Sequence, residues 1–121
     1  MSTQNTVQVK RAYEPPSDHD GVRILVDRLW PRGLSKGKAA VDLWLKDIAP
    51  SVQLRRWFKH QPERWTEFVT RYGEELDQKQ TAVAALRGAV REGRVTLLFG
   101  ARDERRNNAV ALHQYLTRRH A

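Results

Sequence analysis

The sequence predicts a small three-layer α/β domain, a short and mostly parallel sheet flanked by helices. Three observations predict it. Val22–Val26 and Arg94–Phe99 are short, β-branched and mostly apolar, as strands buried on both faces are. Several amphipathic helical segments separate them, a connection long enough for a parallel crossover. The 121 residues fall within the size of one domain. Residues 6–121 are read as that domain and residues 1–5 as a disordered N-terminal tail.

Along the chain, Val7–Tyr13 alternates apolar and polar, the pattern of a half-buried strand. Glu14–Gly21 is rich in turn residues and is expected at the surface. Val22–Val26 follows as a buried strand. Val41–Ile48 alternates over part of its length and reads as either a short strand or an extended edge. Pro50-Ser51 is a helix entry with Ser51 as N-cap. Leu54, Trp57 and Phe58 then face inward, and Arg55, Arg56 and Lys59 face outward. Pro62 suits the first turn of the next helix, whose stripe is Trp65, Phe68, Val69, Tyr72 and Leu76. Thr81–Glu92 is a third helix with Val83, Leu86 and Val90 on one face, stopped at Gly93. After strand Arg94–Phe99, Asp103 is expected to cap a last helix that buries Ala109, Leu112, Tyr115 and Leu116.

Composition excludes several classes. Lys and Arg number 22 against 14 Asp and Glu, a net charge of +8, so anions such as nucleotides and nucleic acids are drawn to the surface. With 40% hydrophobic and 30% charged residues the chain resembles a folded protein rather than a disordered one. No apolar run is long enough to span a bilayer, so no membrane partner is expected. The first residues have neither a basic start nor an apolar core, unlike a secretory signal. There is no cysteine, which excludes disulfides, thiol catalysis and cysteine-ligated zinc. A cytoplasmic location is the expectation.

Two loops carry the polar chemistry. Asp27-Arg28-Leu29-Trp30-Pro31-Arg32-Gly33-Leu34-Ser35-Lys36-Gly37-Lys38 follows the first buried strand, and Gly100-Ala101-Arg102-Asp103-Glu104-Arg105-Arg106-Asn107-Asn108 follows the last. If both strands are parallel in one sheet, both loops leave at the edge where open α/β sheets place ligands. Asp27 and Asp103 are the candidate catalytic carboxylates, as bases or orienting groups. Arg28, Arg32 and Arg102 offer planar forks that match phosphate or carboxylate. Trp30 could stack on a base or sugar ring, and Gly33 permits close backbone approach. Asn107 and Asn108, poor helix formers side by side, suggest hydrogen bonding to a ligand or to the neighbouring loop. Lys46 belongs to a third polar cluster with Asp42, Trp44 and Asp47, and is the remaining candidate ligand-binding residue.

Other signatures are missing. There is no phosphate-loop motif and no nucleophile elbow around a serine. His19, His60, His113 and His120 lie in separate elements, none at metal-ligand spacing, and are read as surface histidines; no metal site is expected. No cofactor is legible.

Val22–Gly33, Trp44–Ser51, Arg56-Trp57-Phe58 and Leu97–Asp103 with Asn107-Asn108-Ala109 together closely resemble the signature of the YeaO-like branch of domain-of-unknown-function family 488, over about Val7 to Leu116. The resemblance implies a compact α/β fold and a bacterial-type cytoplasmic protein, and supplies no activity. Another branch of that family carries a C-x-E-x-x-x-x-x-C-H-R pattern in the last loop. Its cysteine positions are Phe99 and Asn107 here, and its His and Arg positions are Asn108 and Ala109. The resemblance therefore carries no thiol or histidine chemistry to this chain.

The resulting expectation is a domain that binds an anionic small molecule, a nucleotide or sugar phosphate, at the two loops. Arg28, Arg32 and Arg102 would hold the anion, Trp30 would stack, and Asp27 and Asp103 would orient it or act as acid and base. The alternatives are a nucleic-acid-binding accessory using the basic helix faces, and a structural partner in a complex.

Overall fold

The computed structural model describes residues 7–118. The expected tail 1–5 and His120 lie outside the described residues. Strands β1 (Val7–Arg11), β2 (Val22–Leu25), β3 (Leu43–Trp44) and β4 (Val95–Phe99) form a four-stranded sheet in the order β1-β4-β2-β3. Every pairing is parallel, with Val95 opposite both Val7 and Val22, and Ile24 opposite Leu43. Parallel neighbours need crossovers, and helices α1 (Lys36–Ala39), α2 (Val52–Phe58), α3 (Trp65–Asp77), α4 (Gln80–Glu92) and α5 (Asn108–Thr117) lie in or beyond them. The fold is α/β, as the element order predicts.

Alternation along the strands divides the apolar residues between two faces. Ile24, Val26, Leu97 and Phe99 join the main core, which is closed by Phe68, Tyr72 and Leu76 of α3, Leu86 of α4, and Ala109 and Leu112 of α5. Leu25 and Leu98 face the other way, with Ala12, beneath Trp30, Leu34, Val41 and Trp44. The third layer is therefore the β2–β3 connection with its short helix α1. The uncertain segment 41–48 resolves into the two-residue edge strand β3 and a 3-10 turn at Lys46–Ile48.

The second face also holds a buried charge cluster. Asp20 is 2% and Arg23 3% exposed, so the turn-rich loop expected at the surface is anchored at its end. The Arg23 Nη1 donates to Asp20 Oδ2 at 2.6 Å, and Lys10 Nζ donates to the same carboxylate at 3.0 Å. Arg23 Nε and Nη2 donate to the Ala39 carbonyl at 3.2 and 2.8 Å. Burial pushes the Asp20 carboxyl up. Hydrogen bonds from Lys10, the Ser17 amide and Arg23, with the Lys10 charge, outweigh that and hold it below the ordinary 3.8.

Ser51 caps α2 as expected, its Oγ accepting from the Leu54 amide at 3.1 Å. The cap of α5 differs from expectation. Asp103 Oδ1 accepts from the Arg105 and Arg106 amides, closing a local turn. Asn107 is the N-cap of α5: its backbone is extended, and its Oδ1 accepts from the Val110 amide at 2.9 Å. Both residue types cap helices. The backbone leaves Asp103 one turn too early.

Candidate functional site

The parallel strands all end at one edge of the sheet. Two neighbours, β2 and β4, send their continuations to opposite faces there. The chain after β2 covers the Leu25 face, and α5 after β4 packs on the main core. This is the strand arrangement at which open α/β sheets leave a crevice. A cleft of about 400 Å³ opens at that point. Its walls come from the β2 loop (Asp27, Arg28, Trp30, Arg32), from Tyr13 after β1, from Pro50, Arg55, Phe58 and His60 around α2, and from Gly100 and Asn108 after β4.

Asp27 joins the two central loops. Its Oδ2 accepts from the Gly100 amide at 2.8 Å and its Oδ1 from Asn108 Nδ2 at 3.0 Å. Asn108 Nδ2 also reaches the Val26 carbonyl at 3.0 Å, and Trp44 Nε1 donates to the Asp27 carbonyl at 2.7 Å. Burial raises the Asp27 carboxyl above the ordinary 3.8, against the opposing pull of the Asn108 and Gly100 hydrogen bonds and the Arg55 charge. A Cβ at Gly100 would lie 3.2 Å from Asp27 Oδ2, so glycine there serves the close approach of the carboxylate.

The mouth of the cleft is cationic. Arg28, Arg32 and Arg55 are exposed. Their side chains form no hydrogen bond or ion pair with another described residue. Asp27 is the one carboxylate among the lining residues. Tyr13 Oη donates to the Arg32 carbonyl at 2.7 Å and so fixes the Arg32 backbone.

The α2 side of the cleft is held from behind. Glu75 accepts from the Ser51 amide at 2.8 Å and from its hydroxyl at 2.5 Å. Tyr72 Oη donates to the Ile48 carbonyl at 2.6 Å, and Lys79 Nζ to the Ala49 carbonyl at 2.8 Å. These three contacts clamp residues 48–51 onto α3 and its end, and thereby set the height of Arg55 one turn later. Helix α2 ends with Lys59 at φ 48°, followed by His60 at φ 56°. The His60 ring lies 5.8 Å from that of Phe58.

Of the residues singled out from sequence, Asp27, Arg28, Trp30, Arg32, Asn107 and Asn108 come together at this cleft. Trp30 is held by its indole N–H on the Leu34 carbonyl at 2.6 Å and by an edge contact with Trp44 at 5.4 Å. Gly33, at φ 76°, turns the loop away from the cleft and does not line it. Lys46 lies over the Trp44 ring at 4.1 Å, in a second hollow of about 890 Å³ that shares only Arg28 and Leu29 with the first. Arg102 and Asp103 line neither hollow. Tyr13, Arg55, Phe58 and His60 complete the cleft without having been singled out for it. Arg55 sits one turn after the Ser51 cap, its amide bonded to the Ser51 carbonyl. Among the described residues no group of three His, Asp or Glu side chains could hold a metal ion. No described helix is long and apolar enough to cross a membrane.

Comparison with known proteins adds a family. Residues 6–121 match DUF488-N3i, described as the inactive DUF488-N3 subclade. The uncharacterised protein Rv3073c of Mycobacterium tuberculosis is 44% identical over 119 residues, which is 98% of this chain and all of that protein. The uncharacterised protein YeaO of Escherichia coli is 39% identical over 110 residues, 91% of this chain and 96% of that protein. No solved structure matches.

Proposed function

The chain belongs to the DUF488-N3i family, the inactive DUF488-N3 subclade, and from that premise we propose that its cleft binds an anionic small molecule, a nucleotide or a sugar phosphate, without turning it over. The observation that carries this reading is the trio Arg28, Arg32 and Arg55 lining one cleft, their side chains in no hydrogen bond or ion pair among the described residues. Guanidinium groups left free at a concave site suit a phosphate, which accepts two-point hydrogen bonds from each fork. Trp30 and Tyr13 supply ring surface beside them.

Two features support binding over catalysis. Both oxygens of Asp27 are engaged, by Gly100 and Asn108. Its candidate partner Asp103 lines no part of the cleft. A general acid and base must both reach the reacting atoms, and the lining offers no second carboxylate.

The test is calorimetric titration with a panel of nucleotides and sugar phosphates at constant ionic strength, in the natural protein and in Arg32→Ala. Saturable binding to one class, lost in Arg32→Ala at unchanged melting temperature, supports the reading. Binding only to DNA, falling steeply with salt, would replace it with a nucleic-acid role.

A further inference from the structure

We propose that His60 is a ligand-contacting residue of this cleft, and that anion binding there strengthens as its imidazole takes up a proton. The inference rests on the anion-binding reading above and adds to it a residue and a regulation.

Lys59 and His60 are consecutive non-glycine residues in the left-handed region, at φ 48° and 56°. One such residue suffices to end a helix, and glycine usually fills it. Lys59 already does so, its amide donating to the Arg55 carbonyl. The second left-handed residue is not needed to stop α2. It turns the chain so that the imidazole lies beside Phe58 on the cleft wall. Strain kept beyond what the local fold requires is a marker of function.

The charged and titratable groups that share the cleft with His60 are Asp27, Arg28 and Arg32 from the β2 loop, Arg55 from α2 and Tyr13 from the β1 loop. The single carboxylate is already engaged by Gly100 and Asn108. An anion bound in the cleft favours the protonated imidazole. By linkage, whatever favours the proton when the anion is bound must favour the anion when the proton is bound. The affinity therefore rises as the imidazole takes up a proton.

Sulfate is a suitable probe, because its charge is constant between the two pH values used and only the protein titrates. Its affinity is read by NMR titration of the Gly100 amide and the Asn108 side-chain amide, at constant ionic strength, at about pH 5.5 and pH 8. The natural protein is expected to bind roughly fivefold or more tightly at the lower pH, and His60→Gln to lose that difference. His60→Gly is expected to weaken sulfate binding while leaving the melting temperature equal or higher, since glycine adopts this backbone freely. Binding that requires Arg32 but is independent of pH, or whose pH dependence persists in His60→Gln, overturns the inference and leaves the cleft reading intact. A clear fall in melting temperature in His60→Gly also overturns it, by assigning the imidazole to packing. No saturable sulfate binding at either pH overturns both.

Discussion

The Asp27 carboxylate accepts the Gly100 amide proton at 2.8 Å and so ties together the ends of two strands that are adjacent in the sheet but 73 residues apart in the chain. Asp27→Ala removes this acceptor and leaves the Gly100 amide without its partner. We expect a loss of about 1.5–3 kcal/mol in urea unfolding, the range for a hydrogen bond to a charged group.

The same carboxylate should show an inverted pH signature. Burial raises its folded pKa above 3.8. The part of its stability linked to titration is then fully present below the unfolded value and is lost as pH rises through the folded one, while the hydrogen bonds from Gly100 and Asn108 persist. An NMR titration of the Asp27 carboxyl carbon should give a midpoint above 3.8. A midpoint below it would mean that Asn108 and Gly100 outweigh burial.

Asp20 should behave in the opposite way. Its folded pKa is depressed, so its contribution is present above 3.8 and is lost as pH falls through the folded value. Asp20→Asn should cost about 3–5 kcal/mol at neutral pH, because it leaves the Arg23 charge buried without its counter-ion. The difference from the natural protein should shrink in strong acid. Arg23→Lys should not be a mild change, since an ammonium cannot serve Asp20 and the Ala39 carbonyl together through a planar fork.

Two glycines with positive φ separate steric from conformational cost. Gly21 has φ 64°, and an added Cβ would fall 2.1 Å from the Arg94 carbonyl oxygen. Gly21→Ala must move backbone and should severely destabilise the protein. Gly33 has φ 76° with nothing within 4 Å of the added atom. Gly33→Ala should cost only about 1–2 kcal/mol of left-handed strain. Thermal unfolding of the pair checks the contrast.

Ser51→Ala removes the cap of α2 and the hydroxyl bond to Glu75. It should cost about 1–2 kcal/mol. Amide exchange should accelerate at Leu54 and Arg55 before it does in β4.

Much of this was legible in the sequence because local chemistry decided it. The β-branched runs of β2 and β4, the Ser51 cap and the α3 stripe each need only their neighbours to be recognised. Asp27, Arg28, Trp30, Arg32 and Asn108 could be grouped because parallel strands deliver their following loops to one edge. The Asp20–Arg23 pair could not be read, since its burial depends on the loop folding back over Thr96, whose hydroxyl donates to the Asp20 carbonyl. Asp103 and Asn107 are both good caps, and only the extended backbone at Asn107 chooses between them. Arg55 resembled any solvated helix residue until the clamp from Glu75, Tyr72 and Lys79 fixed the direction of α2. His60 reaches the cleft through a backbone conformation that its residue type permits but does not announce.

The pairing of β1 has a kinetic meaning. Its partner in the sheet is β4, and Gln8 meets Thr96 at a separation of 88 residues in the chain. β2 has β4 on one side and the two-residue β3 on the other. A nascent chain emerging from a ribosome therefore carries β1 unpaired until β4 has been made. Fragments ending before Val95 hold no complete sheet, and helices α2 to α4 must wait for a surface to pack on. Folding of this chain should be late and cooperative, gated by the arrival of a single central strand.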